Sequence, residues 1–260
     1  MPELSTNFQR DRQSSLLHKT GEHFERLYKA QLYWLRRVLS QAKIPHRPGG
    51  RTWSVDLPLR ALDSIQTGAL RYSYRGISML KNPFDIALYQ LLFWQTKPRT
   101  VIEIGSYLGA SALWFADVMR NCDIIGTVVS IDIKPPQPPE TRANVYFLKG
   151  DANALDTVLT PNMLAGLERP LMVIEDSTHT AETSLAVLEF FAPVLRSGEY
   201  IVIEDGVVTD LGKAHHYNGG PGYAISRFLS AHPEFEIDAE FCDRYGHNFT
   251  GNPNGYLRRL

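Results

Sequence analysis

Two stretches of the chain end in groups able to hold a cation. Leu171-Met-Val-Ile-Glu-Asp-Ser-Thr-His179 and Tyr200-Ile-Val-Ile-Glu-Asp-Gly206 are short apolar runs that stop abruptly in carboxylates. Apolar runs of this length between polar breaks are expected to be buried parallel strands. In an open α/β sheet, ligands bind outside the carboxyl ends of the strands. Asp176, Glu204 and Asp205 should therefore share one rim, with His179 just beyond the first strand. Three converging carboxylates repel one another unless a cation lies between them. The pattern describes a metal site with an adjacent base.

The elements that must position these groups alternate regularly. Thr100–Ile104, Ile124–Asp132, Val145–Leu148 and the two acidic runs are strand-like. Helical segments are expected over Gly109–Arg120, from about Asn153, and over Thr180–Leu195. Such alternation argues for an α/β, doubly wound, mostly parallel sheet. Asn82 and Pro83 form a helix start, and Lys97-Pro98 a stop. After a helix at Pro221–Ala231, Phe235–Phe241 and Gly255–Arg259 are both strand-like with no helix between them. That calls for an antiparallel pair at one edge.

Upstream, Ser14–Gln41 has helical apolar spacing, His46–Arg51 is a loop by composition, and Leu57–Leu70 is ambiguous. The expected division is a helical extension over 1–75 and a main domain over 76–260.

Composition narrows the function classes. The 260 residues are 43% hydrophobic and 21% charged, with a net charge of −1, which fits a globular protein. Without a basic block, neither nucleic acid nor a membrane surface is an expected partner. Cys122 and Cys242, far apart, suit two reduced thiols in a cytoplasmic protein.

The first strand opens a second site. Val101-Ile-Glu-Ile-Gly105 leads through Gly109 into a helix, with spacing Gly-x-x-x-Gly, so the dinucleotide fingerprint fails at its second glycine. A ligand without a pyrophosphate fits better, and Glu103 suits a cationic amino group. Asp132 ends the next strand, where an acid can bind ribose hydroxyls, and Gly150-Asp151-Ala152 follows the third. Acid, glycine turn, acid and Gly-Asp in order describe a pocket for S-adenosylmethionine. The expected cofactor-binding residues are Gly76, Glu103, Gly105, Tyr107, Ser111, Asp132, Asp151, Ala152 and Asp176.

From about Arg75 to Leu260 the chain resembles the cephalosporin hydroxylase and rhamnosyl O-methyltransferase family of class I methyltransferases. The resemblance rests on Leu80-Lys-Asn-Pro-Phe-Asp85, Val101-Ile-Glu-Ile-Gly105, Glu175-Asp-Ser-Thr-His179, Val202-Ile-Glu-Asp205, Gly219-Gly-Pro-Gly222 and Asn252-Pro-Asn-Gly-Tyr-Leu-Arg-Arg259. It implies a seven-stranded sheet, bound S-adenosylmethionine, and Mg²⁺ held by Asp176, Glu204 and Asp205. His179 matches the general base of similar macrolide-sugar methyltransferases. Where such enzymes often read Asp-Ser-Asp-His, this chain has Asp-Ser-Thr-His.

Mg²⁺ takes six oxygen ligands, so three carboxylates leave room for two vicinal oxygens of an acceptor. The expected partner is a small hydroxyl acceptor, a sugar or polyketide-like diol, and the expected assembly a homo-oligomer. His215, His216 and Tyr217 are candidates for a lid. Three alternatives stand beside this reading. They are a non-haem iron oxygenase, which wants two histidines and one carboxylate, a nicotinamide oxidoreductase, and a non-catalytic subunit retaining the pocket.

Overall fold

The computed structural model describes residues 24–39, 50–138 and 141–260. Its centre is a seven-stranded sheet built from two-sided apolar runs. Strands β3 (Thr100–Ile104), β6 (Leu171–Glu175) and β7 (Tyr200–Ile203) are buried at every position. Burial on both faces is what helix-covered parallel strands require. With β4 (Thr127–Asp132), β5 (Val145–Lys149), β8 (Phe235–Ile237) and β9 (Tyr256–Arg259), the order is β5-β4-β3-β6-β7-β9-β8. The first five strands are parallel; β9 pairs antiparallel with both β7 and β8. This is the expected doubly wound sheet with an antiparallel C-terminal pair.

Side chains of alternating positions build a core on each face. Helices α3 (Pro83–Thr96) and α4 (Ala110–Asn121) send Leu88, Leu92, Phe93 and Phe115 against Val101, Met172, Ile174 and Val202. On the other face, α6 (Ala181–Phe191) and α7 (Gly220–Ala231) pack Val187, Phe191, Ile225 and Phe228 against Ile102, Ile104, Val173 and Ile203. Helix α3 starts as expected, with the Asn82 side chain accepting from the Phe84 amide and Pro83 in its first turn. Trp53, well upstream of the sheet, is buried with the second cluster.

Register sets the site. Ile104 lies beside both Ile131 and Glu175, and Glu175 beside Ile203. The next residue of each strand, Gly105, Asp132, Asp176 and Glu204, therefore emerges at one level of one rim.

Several local expectations change. Instead of one helix from Asn153, a 3₁₀ turn (Leu155–Thr157) precedes α5 (Pro161–Gly166). Thr160 caps the new start and Pro161, which has no amide hydrogen, cannot continue an earlier helix. The strand expected over Phe235–Phe241 stops at Ile237. Asp238 accepts from the amides of Glu240 and Phe241 and so caps α8 (Ala239–Cys242), a helix where none was expected.

The ambiguous Leu57–Leu70 stretch holds α2 (Leu59–Ala69). It leads to a hairpin, β1 (Ser73–Tyr74) and β2 (Ile77–Ser78), turning on Arg75 and Gly76 with φ of 53° and 80°. Of the helix expected over 14–41, residues 24–39 are helical and form α1, where Arg37 pairs with buried Asp210 at 2.8 Å. Its ends, and residues 46–49 of the expected loop, lie outside the described residues. No helix among the described residues is long and apolar enough to cross a membrane.

Candidate active site

Two cavities meet over Gly105. One, of about 160 Å³, is lined by Ser78, Ser111, Asp176, His179, Glu204 and Asp205 among others. The other, of about 430 Å³, runs past Asp132, Asp151, Ala152 and Thr183. Gly105, Tyr107, Asp176 and Ser177 border both. Gly105 has φ of 100°, and a Cβ there would lie 2.1 Å from the Asp176 carbonyl oxygen. Only glycine lets the two strand ends approach so closely.

Asp132 holds this turn in place. Its Oδ2 accepts from the amides of Ser106 (2.9 Å) and Tyr107 (3.2 Å), and its Oδ1 from the Lys134 amide (2.8 Å). Oδ1, which accepts from one amide, keeps a second lone pair for a hydroxyl in the cavity. Asp151 similarly accepts from the Asn153 amide at 2.9 Å.

Two expected cofactor residues line neither cavity. Gly76 sits in the β1–β2 turn, and Glu103 lies fully buried beneath the rim. Glu103 Oε2 accepts from the Ser130 hydroxyl at 2.5 Å, while Oε1 is buried with no hydrogen-bond partner among the described residues. Burial pushes its carboxyl up to about 7, against the pull of Lys81, Ser111 and Ser130. An orphaned buried acceptor of this kind fits an incoming ammonium group.

The metal end gathers differently from the sequence reading. Ligand atoms of Asp176, His179 and Asp205 lie within 4.8 Å of one another. His179 Nε2 is 3.2 Å from Asp205 Oδ2, and its Nδ1 is buried without a hydrogen-bond partner among the described residues. Glu204 shares the rim, but both its oxygens are engaged. Oε1 accepts from the Tyr89 hydroxyl at 2.6 Å, and Oε2 from Lys81 Nζ at 2.5 Å. Lys81 also donates to Asp176 Oδ2 at 2.6 Å.

Sequence reasoning passed over Lys81 and Tyr89. Lys81 stands directly before a helix cap, where a lysine ordinarily reaches solvent, yet its side chain is only 3% exposed. The available signal was its place in the Leu80–Asp85 motif.

Electrostatics follow from crowding. Burial and Asp176 raise the Glu204 carboxyl well above the usual range, despite Lys81 and Tyr89. Burial likewise raises Asp205, with Asp176 adding to it and His179 and Lys81 opposing. For His179 burial acts downward, but Asp205, Asp176 and Glu175 outweigh it and raise the imidazole. Burial also opposes the charge on Lys81, and Asp176, Glu204 and Glu103 overcome it.

Four residues around the cavities, Leu80, Tyr107, His179 and Asp205, hold left-handed backbones with φ of 58°, 46°, 58° and 57°. Such conformations in non-glycine residues concentrate at functional sites. The Asn252 side chain accepts from the Asp205 amide at 3.0 Å and fixes that turn. Of the lid candidates, Tyr217 is brought to the site. Its ring lies edge-on to His179 at 6.0 Å, whereas the His215 and His216 rings lie tilted against each other at 3.9 Å.

Sheet order, glycine turn and acidic rim together define a class I methyltransferase fold. A family model described as rhamnosyl O-methyltransferase/CmcI matches residues 67–260, and the chain belongs to that family. It is similar to the rhamnosyl O-methyltransferase of Mycobacterium leprae, at 31% identity over 192 residues, covering 72% of this chain and 82% of that protein. The protein of the same name from Mycobacterium bovis is 29% identical, covering 72% and 78%. Among solved structures, a CmcI structure described as Mg-SAM matches at 26% identity and a TM-score of 0.57, covering 74% of this chain and 77% of that one. An apo CmcI structure gives 26% and 0.59 over the same shares.

Proposed function

We propose that this protein transfers the methyl group of S-adenosylmethionine to a hydroxyl of a small acceptor, a sugar or natural-product diol, with a bound Mg²⁺ and His179 as general base. Family membership supports O-methyl transfer as the reaction class. The observation that carries the finer reading is the meeting of two sites over Gly105. One is a cofactor-sized groove past Asp132 and Asp151; the other is a smaller cavity edged by Asp176, His179 and Asp205.

The residues suit both groups. Asp132 and Asp151 offer acceptors at the strand ends where a ribose and a base are held in such folds. Glu103, buried beneath the rim with an unpartnered oxygen, adds negative charge that suits the amino group of the cofactor. Mg²⁺ takes oxygen ligands and is usually bound through one or two carboxylates. Asp176, Glu204 and Asp205 all line the smaller cavity and would supply its carboxylate ligands, with Lys81 already on one oxygen each of Asp176 and Glu204. When bound, the ion would lower the pKa of an acceptor hydroxyl and fix its orientation.

His179, three residues beyond Asp176, places Nε2 at the edge of the same cavity. There it can take the hydroxyl proton as the oxygen attacks the methyl carbon and the sulfonium departs as a thioether. Positioning both substrates in one groove supplies about 7–11 kcal/mol of the barrier reduction. The edge of Tyr217 beside His179 would cover the acceptor.

The oxygenase alternative finds less support. The cluster has two carboxylates and one histidine, the reverse of the two-histidine, one-carboxylate iron triad. Incubating the protein with methyl-labelled cofactor and a panel of rhamnosides tests the proposal. Label in the sugar is expected, and turnover dependent on Fe²⁺ and 2-oxoglutarate would replace the reading.

A further inference from the structure

The cavity floor carries a positive charge that the proposed chemistry does not use. Lys81 Nζ bridges Asp176 Oδ2 and Glu204 Oε2, at 2.6 and 2.5 Å. The ammonium does not line the cavity, although Ser78, Met79 and Leu80 do, so it sits under the acidic rim and not in it. Its place is fixed from both sides. Leu80 holds a left-handed backbone with φ of 58°, and Asn82 caps α3. Glu204 is pinned a second time by the Tyr89 hydroxyl.

We propose that Lys81 is a built-in counter-cation of the metal site. It holds Asp176 and Glu204 together when no metal is bound, and it limits how tightly a divalent ion binds. It is a positioning residue, fixed beneath the ligands and untouched by acceptor or cofactor. This inference rests on the proposed metal site at Asp176 and Asp205.

Two physical consequences distinguish a counter-cation from a lysine that merely fills space. Removing the ammonium leaves buried carboxylates facing one another, which destabilises the metal-free protein. The same removal deepens the negative potential at the rim and strengthens cation binding. A space-filling lysine would make binding weaker when lost.

The test measures Mn²⁺ binding to the cofactor-free full-length protein by the paramagnetic signal of the free ion, and thermal midpoints in EDTA and in excess Mn²⁺. For Lys81→Met, Mn²⁺ should bind about tenfold tighter than to wild type. Its midpoint in EDTA should fall by about 5 °C or more, with Mn²⁺ recovering most of the loss. Lys81→Arg should return both quantities toward wild type. If Lys81→Met does not fold in EDTA, Lys81→Met/Glu204→Gln removes charge from both sides and should fold there.

Unchanged or weaker Mn²⁺ binding by folded Lys81→Met, an unchanged EDTA midpoint, or a double variant that also fails to fold would each overturn the inference while leaving the metal site standing. Wild-type protein that binds no Mn²⁺ would remove the metal reading, and this inference with it.

Discussion

At the scale of single residues, the site turns on which atoms are free. Asp176, Glu204 and Asp205 all line the cavity; Lys81 engages one oxygen of Asp176, His179 lies against one of Asp205, and Tyr89 and Lys81 engage both of Glu204. A base that acts only in the chemical step should leave cofactor binding intact when removed. His179→Ala is therefore expected to lower kcat by about 10²–10⁴-fold. Its affinity for S-adenosylmethionine, read by calorimetry, should stay within about twofold. Equal losses in both would assign His179 to cofactor binding.

The acids at strand ends were legible because each closes an apolar run, so the sequence itself marks the rim. Lys81 was not, because nothing local says that a lysine before a helix cap will turn inward. Its burial comes from carboxylates 95 and 123 residues away.

At the scale of elements, strand register brings the acids to one level, and the glycine turn lets β3 and β6 end side by side. Gly105→Ala forces a Cβ against the Asp176 carbonyl at 2.1 Å in a backbone conformation with φ of 100°. A loss of at least about 2 kcal/mol in unfolding free energy is expected, together with cofactor affinity. Denaturant titration and calorimetry check the two effects.

His232, just past α7, joins Glu189 of α6 and Glu234 before β8, each at 3.0 Å. Burial opposes its charge, but the two carboxylates outweigh that and raise the imidazole. A raised histidine binds its proton more tightly folded than unfolded. Its contribution is complete below an unfolded pKa of about 6.5 and disappears as pH rises through the folded value. Exposed partners hold that contribution to about 1 kcal/mol or less. His232→Gln should remove that part of the stability slope between mildly acidic and mildly alkaline pH.

The strands and main helices were legible from period and punctuation. The 235–242 stretch was misread because its apolar alternation hides a helix cap at Asp238. The break before α5 turns on Thr160-Pro161, a start signal that the expectation of a helix from about Asn153 did not use.

At the scale of the whole molecule, one sheet with a core on each face carries the larger groove and the acidic rim together. Segments far upstream take part, since Trp53 is 3% exposed within the second core. Trp53→Ala should cost about 3–5 kcal/mol, measured by chemical denaturation. A change within about 0.5 kcal/mol would mean that this segment does not pack as described. Helix α1 was readable from its spacing, but its anchor was not. The pairing of Arg37 with Asp210 spans most of the chain and has no periodic signature.

The central claim is metal-assisted methyl transfer to a hydroxyl. The most direct measurement follows label from methyl-labelled S-adenosylmethionine into a rhamnoside, using protein stripped of metal and then resupplied with Mg²⁺. Transfer should be slowed by about tenfold or more in EDTA and restored by the ion. Transfer at the full rate in EDTA would contradict the account.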